Sequence, residues 1–143
     1  MTFQTFEHKA DIGIRGIGKT KEKSFEESAK CLFNVQVDIK KIKPLKKILI
    51  SAKAENLEEI FVEFLNKLIT TSAIKEMVFG KFIVYIKENK SKKQLELKAE
   101  AFGEKLNITK HNIKVEVKAA TYGELRVYLD KDKNWISQCI VDV

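Results

Sequence analysis

Apolar periodicity changes partway along this chain, and that change constrains the fold more than any single motif. Leu57, Ile60, Phe61, Phe64, Leu65, Leu68 and Ile69 recur at intervals of three and four, one unbroken face of a helix. Asn56 precedes them, with Glu59 three residues on: a capping box that marks the helix start. Further along, the period falls to two. Leu95, Leu97, Ala99 and Ala101 alternate with Gln94, Glu96, Lys98 and Glu100, which predicts a strand with one wet face. Ile113, Val115, Val117 and Ala119 predict another of the same kind, as do Leu125, Val127 and Leu129. Residues 79–87 set Phe82, Val84 and Ile86 against Ile83 and Tyr85, so this strand is expected to be covered on both faces.

The beginning of the chain predicts an earlier helix over 21–34. Phe25, Ala29, Leu32 and Phe33 fall at helical spacing, Thr20 is a suitable N-cap, and Glu22 suits the positive helix end. A short strand is expected up to His8, then an extended piece through Ile12, Ile14 and Ile17, broken by Gly13, Gly16 and Gly18. Residues 39–47, rich in lysine and holding Pro44, read as a connector into a strand of Ile48, Ile50, Ala52 and Ala54. With helices early and strands late, the expected fold is α+β: a mostly antiparallel β-sheet with two main helices packed against it, in a single domain over 1–143.

Composition narrows the function. The chain has 143 residues, 44% of them hydrophobic, enough for one core. No stretch nears the roughly 20 apolar residues of a membrane span, and Glu7, Lys9 and Asp11 stand where a signal peptide would be apolar. A soluble, cytoplasmic protein without a membrane partner is expected. Cys31 and Cys139, lacking any CxxC spacing, are expected to be buried thiols. The net charge is +7, yet Arg15 and Arg126 are the only arginines. Lysines such as Lys53, Lys87, Lys98 and Lys114 fall on polar beats, which favours a solvated Lys/Glu surface over a base-reading stripe.

Gly13-Ile14-Arg15-Gly16-Ile17-Gly18-Lys19-Thr20 fits GxxxxGK[ST], the phosphate-binding loop pattern. No buried apolar strand precedes it, and its isoleucines would be wasted on phosphate, so the match reads as coincidental. No serine, threonine or cysteine has an obvious base beside it in sequence. His111 falls in the polar stretch Thr109-Lys110-His111-Asn112 and reads as a loop histidine. Lys118 reads as a surface lysine, and Tyr122 as a strand-end aromatic with a polar tip.

Two aspartates are the exception. Asp11 stands immediately before the Ile12-x-Ile14 segment, and Asp142 sits in the apolar run Ile140-Val141-Asp142-Val143. Asp11 and Asp142 are expected to meet and hold a cation. Two histidines and two isolated cysteines do not make a common zinc site. With oxygen ligands abundant, the ion expected is a hard divalent metal, calcium or magnesium.

His8-Lys9-Ala10-Asp11-Ile12-Gly13-Ile14, with Gly18-Lys19-Thr20 before a helix, resembles the opening of the archease family. The resemblance continues through Phe64-Leu65-Asn66-Lys67-Leu68, Phe79-Gly80-Lys81-Phe82, Ala101-Phe102-Gly103-Glu104 and His111. It closes with Val117-Lys118-Ala119-Ala120-Thr121-Tyr122 and the terminal Ile140-Val141-Asp142-Val143. Archeases are accessory proteins of the RtcB-type tRNA-splicing RNA ligase. The resemblance implies a non-enzymatic activator that promotes guanylylation and multiple turnover of that ligase, with any RNA contact indirect. It implies a metal site at Asp11, Asp142 and Val143, the last through carbonyl or carboxylate oxygen. His8 and Lys118, within the matched motifs, are expected to touch the partner. Gly123 stands where the family often has a histidine, a departure that touches no member of the acidic pair. The alternative is a lysine-rich RNA-binding or chaperone-like modulator of RNA-modifying enzymes.

Overall fold

The structure, a computed structural model, describes residues 1–143. In chain order the elements are β1 (Thr2–His8), β2 (Asp11–Gly18), α1 (Lys21–Gln36), β3 (Lys46–Ala54), α2 (Leu57–Lys75) and β4 (Met77–Asn89). They continue as β5 (Gln94–Lys105), a short α3 (Ile108–His111), β6 (Ala119–Ala120), β7 (Arg126–Leu129) and β8 (Trp135–Asp142). The fold is α+β, and every strand pairing is antiparallel. The strands are divided between two sheets, β1-β2-β8-β6 with β7 also on β8, and β3-β5-β4.

Both long helices start where side-chain chemistry dictates. Thr20 Oγ1 accepts the Lys23 amide at 3.0 Å, and Asn56 Oδ1 accepts the Glu59 amide at 2.9 Å. Each cap satisfies a donor that the first helical turn leaves without a partner. α2 runs 19 residues and stops where Glu76 turns into the left-handed region at φ 54.

Aromatic side chains join the two long helices to each other and α1 to β4. Phe25 of α1 lies 5.0 Å from Phe61 and 6.2 Å from Phe64 of α2, centroid to centroid. Phe33 lies 5.6 Å from Phe79 and 5.8 Å from Phe82, both on β4. Burying each such ring contributes about 1.5–3 kcal/mol. A polar tie supplements them. Glu26 of α1, 6% exposed, accepts the Val84 amide at 2.8 Å, satisfying a donor on the edge of β4.

Four expectations are corrected. β2 is continuous, because its glycines serve close approach rather than interruption. A Cβ at Gly16 would collide with the Ser24 carbonyl and the Ser28 amide, so α1 rests on bare backbone there. β4 is covered on one face only, with Tyr85 59% exposed and Ile83 half-buried on the other. Residues 113–118 form no strand. Their donors turn to the end of α1 instead: the Lys114 amide reaches the Gln36 carbonyl at 2.8 Å and the Val117 amide reaches Gln36 Oε1 at 3.4 Å. His111 is fully buried on α3 rather than in an open loop.

Candidate functional site

The site grows from the register of β2 and β8. Ile12 pairs with Val141, and both pack against the core. Asp11 and Asp142 are the next residue on each strand. Side chains alternate along a strand, so both acids turn away from the helix-covered side. Both are exposed, and neither carboxylate has a hydrogen-bond or ion-pair partner within the protein. Like charges opposite one another on neighbouring strands repel.

The two-residue turn between β1 and β2 sets His8 opposite Asp11. His8 Nε2 lies 3.8 Å from Glu124 Oε1, while its Nδ1 is buried without a partner. Val143 packs its side chain against the core, carrying its backbone carbonyl just past Asp142. Lys118 joins through the backbone, its amide donating to the Asp142 carbonyl at 2.7 Å. Lys118 also lines a separate groove beside α2, with Ile69, Ser72 and Met77. Thus His8, Asp11 and Asp142 occupy one row across three strands, and Lys118 lies off it.

No three His, Cys, Asp or Glu side chains gather into a metal-binding cluster. The donors offered are two carboxylates and the backbone carbonyl of Val143, an all-oxygen set whose chemistry fits a hard cation. Such a set fills only part of the six to eight positions calcium takes.

The sequence matches the Archease protein family (MTH1598/TM1083) over residues 3–143. The chain belongs to the archease family. It is 40% identical to Protein archease of Pyrococcus furiosus over 141 residues, covering 99% of this chain and 98% of that one. Protein archease of Methanosarcina barkeri is 34% identical, with 99% and 95% covered. The fold agrees with the solution structure of Methanobacterium thermoautotrophicum protein 1598, at TM-score 0.80 and 23% identity, covering 99% of this chain and 98% of that one. The crystal structure of an archease, possible chaperone, from Thermotoga maritima aligns at TM-score 0.57 and 20% identity, covering 98% and 96%.

Within this archease the apparent phosphate-binding loop is a strand. Gly13 through Ile17 pair with β1 on one side and β8 on the other, and Gly18 with β8, so these backbone groups are committed to ladders rather than to a phosphate cradle. The expected buried thiols are present: Cys31 and Cys139 are both 0% exposed and unbridged. Burial pushes Cys31 up to about 11 and Cys139 up to about 12.

Sequence reasoning missed the outward side of this archease sheet. Arg15 and Arg126, the only arginines, both lie opposite Gln138. Arg15 Nε donates to Gln138 Oε1 at 2.8 Å, and its guanidinium sits 4.6 Å from the Phe6 ring centroid. Parity carried the signal: Arg15 shares a strand face with Asp11, as Gln138 does with Asp142.

His111 was missed for another reason. The Asn107 amide donates to His111 Nδ1 at 2.9 Å, which leaves the proton on Nε2, facing Glu104 Oε2 at 2.8 Å. Glu104 also accepts from Lys110 Nζ at 2.7 Å and from the Lys43 amide at 2.9 Å. Burial opposes ionisation of Glu104, but Lys110, the Lys43 amide and His111 outweigh it and hold the carboxyl at about 2. The cluster pins α3 to β5 and to the segment leading into β3.

Proposed function

We propose that this archease is a non-catalytic protein cofactor of an RtcB-type tRNA-splicing RNA ligase in the cytoplasm. It promotes guanylylation and multiple turnover of the ligase through a hard divalent cation held at Asp11, Asp142 and the backbone carbonyl of Val143. The observation that carries the reading is the unpartnered acidic pair at the shared end of β2 and β8. The partner class is what the resemblance to archeases implies.

Bound calcium or magnesium would supply positive charge and coordination positions open to phosphate or carboxylate oxygen. The protein's own part is to hold the acids. The ladder ending at Ile12 and Val141 keeps Asp11 and Asp142 facing solvent rather than collapsing onto the core. The Lys118 amide fixes the Asp142 carbonyl, and the core contact of Val143 positions its own carbonyl. His8, in the same row, meets the ligase beside the ion, and Lys118 contacts it from the adjoining groove.

A multiple-turnover assay of the cognate ligase, with and without this protein, tests the reading. Wild type is expected to accelerate turnover, and Asp11→Ala or Asp142→Ala to abolish the acceleration while circular dichroism and melting stay native. Full stimulation by either variant removes the metal assignment.

A further inference from the structure

The outward face of the β3-β5-β4 sheet has no cover, although much of it is apolar. Leu49 is 74% exposed and Tyr85 59% exposed, with Ile83 and Phe102 half-buried between lysines. Strand register puts Lys47, Lys53, Lys81, Lys87 and Lys98 on this same face. The acids of the same parity are Glu96, Glu100 and, at the end of β5, Glu104, the last already held by Lys110, the Lys43 amide and His111. Glu100 meets Lys47 at 3.1 Å and Glu96 meets Lys87 at 3.7 Å. Lys81 and Lys98 make no ion pair, Lys53 stands opposite Glu96 without closing on it and joins the Asn89 hydrogen bond in lowering its pKa, and Lys81 Nζ lies 5.2 Å from the Phe102 ring centroid.

We propose that this face binds single-stranded nucleic acid, with unstacked bases on Tyr85 and Phe102 and backbone phosphates on Lys53, Lys81 and Lys98. Charge decides among the occupants. Five lysines against Glu96, Glu100 and Glu104 leave the face positive, so a second copy of the chain laid on it would be repelled. A protein partner fits poorly, because the cores of protein interfaces are depleted in lysine, whereas here Lys98 stands mid-sheet beside Tyr85. Aromatic rings among lysines on an open sheet are what single strands require, since every base has a face to stack. A duplex keeps its bases stacked on one another and cannot use the rings. From Lys47 to Lys53 the strand spans about 20 Å, and the sheet is about 10 Å across, room for a few nucleotides.

This surface is separate from the acidic pair, so it is tested without any ligase. Fluorescence anisotropy of a labelled uridine decamer is measured across salt concentrations, with thermal melting as the fold control. Three phosphate contacts predict a slope of log affinity against log salt of about −2. Tyr85→Ala is expected to weaken binding about fivefold or more through lost stacking. Lys53→Gln combined with Lys98→Gln is expected to weaken it and flatten the slope. A ten-base-pair RNA duplex is expected to bind less well than the decamer, and Asp11→Ala to bind it as wild type does. No decamer binding at low salt overturns the proposal, as does binding that Tyr85→Ala and the double lysine variant leave unchanged. Polyglutamate that competes as well as RNA, with Tyr85→Ala weakening both alike, overturns it in favour of an acidic protein partner.

Discussion

Ile12 faces Val141 at the last rung of the β2–β8 ladder, and the next residue on each strand is an aspartate. Two residues 129 positions apart in sequence thereby set the geometry of an acidic pair that no local pattern could create. The consequence for stability has a definite sign. Without metal, Asp11→Asn is expected to melt at the same temperature as wild type or higher, since it removes a repulsion. On the proposed metal assignment, calcium at a hundredfold excess over its Kd is expected to stabilise wild type by about 2.7 kcal/mol and the variant little. Calorimetric scans with and without the ion distinguish this from a purely structural role, in which the variant would lose stability under both conditions.

Acid should act through Glu104. Its carboxyl is held at about 2 against an ordinary value of 4.5, so the native state binds fewer protons than the unfolded chain between those limits. The stability it contributes is therefore complete above about pH 4.5 and is lost as pH falls toward 2. Urea titrations of wild type and Glu104→Gln should differ at neutral pH and converge on acidification. A gap that stays constant down to pH 2 would contradict the assignment.

Gly16 tests the contact between α1 and the five-stranded sheet. A methyl group there meets the Ser24 carbonyl and the Ser28 amide, backbone that cannot move without shifting the helix. Gly16→Ala should cost about 1–3 kcal/mol or more, read as a lower denaturation midpoint. Gly80→Ala, whose nearest neighbours are Ile42 and Ile39 side-chain atoms at 3.2–3.5 Å, should cost less.

The two thiols should be silent in the native protein. Burial raises Cys31 to about 11 and Cys139 to about 12, and the thiolate is the reactive form. A thiol-specific reagent at pH 8 should label neither until denaturant is added, then both. Rapid labelling of native protein would show that the β8 and α1 contact opens readily.

Much of this was readable before any coordinates. Thr20 and Asn56 announced both long helices because capping is local, a side chain closing on an amide three residues away. The alternation of β5 placed Leu97 and Ala99 inward and Lys98 outward because side-chain direction in a strand depends only on parity. Where parity was followed without knowledge of the neighbours, it failed. Residues 113–118 alternate like a strand, yet Gln36 at the end of α1 takes the Lys114 and Val117 amides. Ile83 and Tyr85 are apolar like core residues, yet no element lies over them.

Local sequence thus determined the element types, the helix starts, the inward side of most strands and the placement of Asp11 and Asp142 beside apolar runs. Tertiary structure alone decided which residues are neighbours: the row of His8, Asp11 and Asp142, the pair of arginines flanking Gln138, and the burial of His111 against Glu104. The division has one physical cause. Propensity, capping and alternation act over a few residues, whereas register and burial depend on long-range pairing that no short segment encodes.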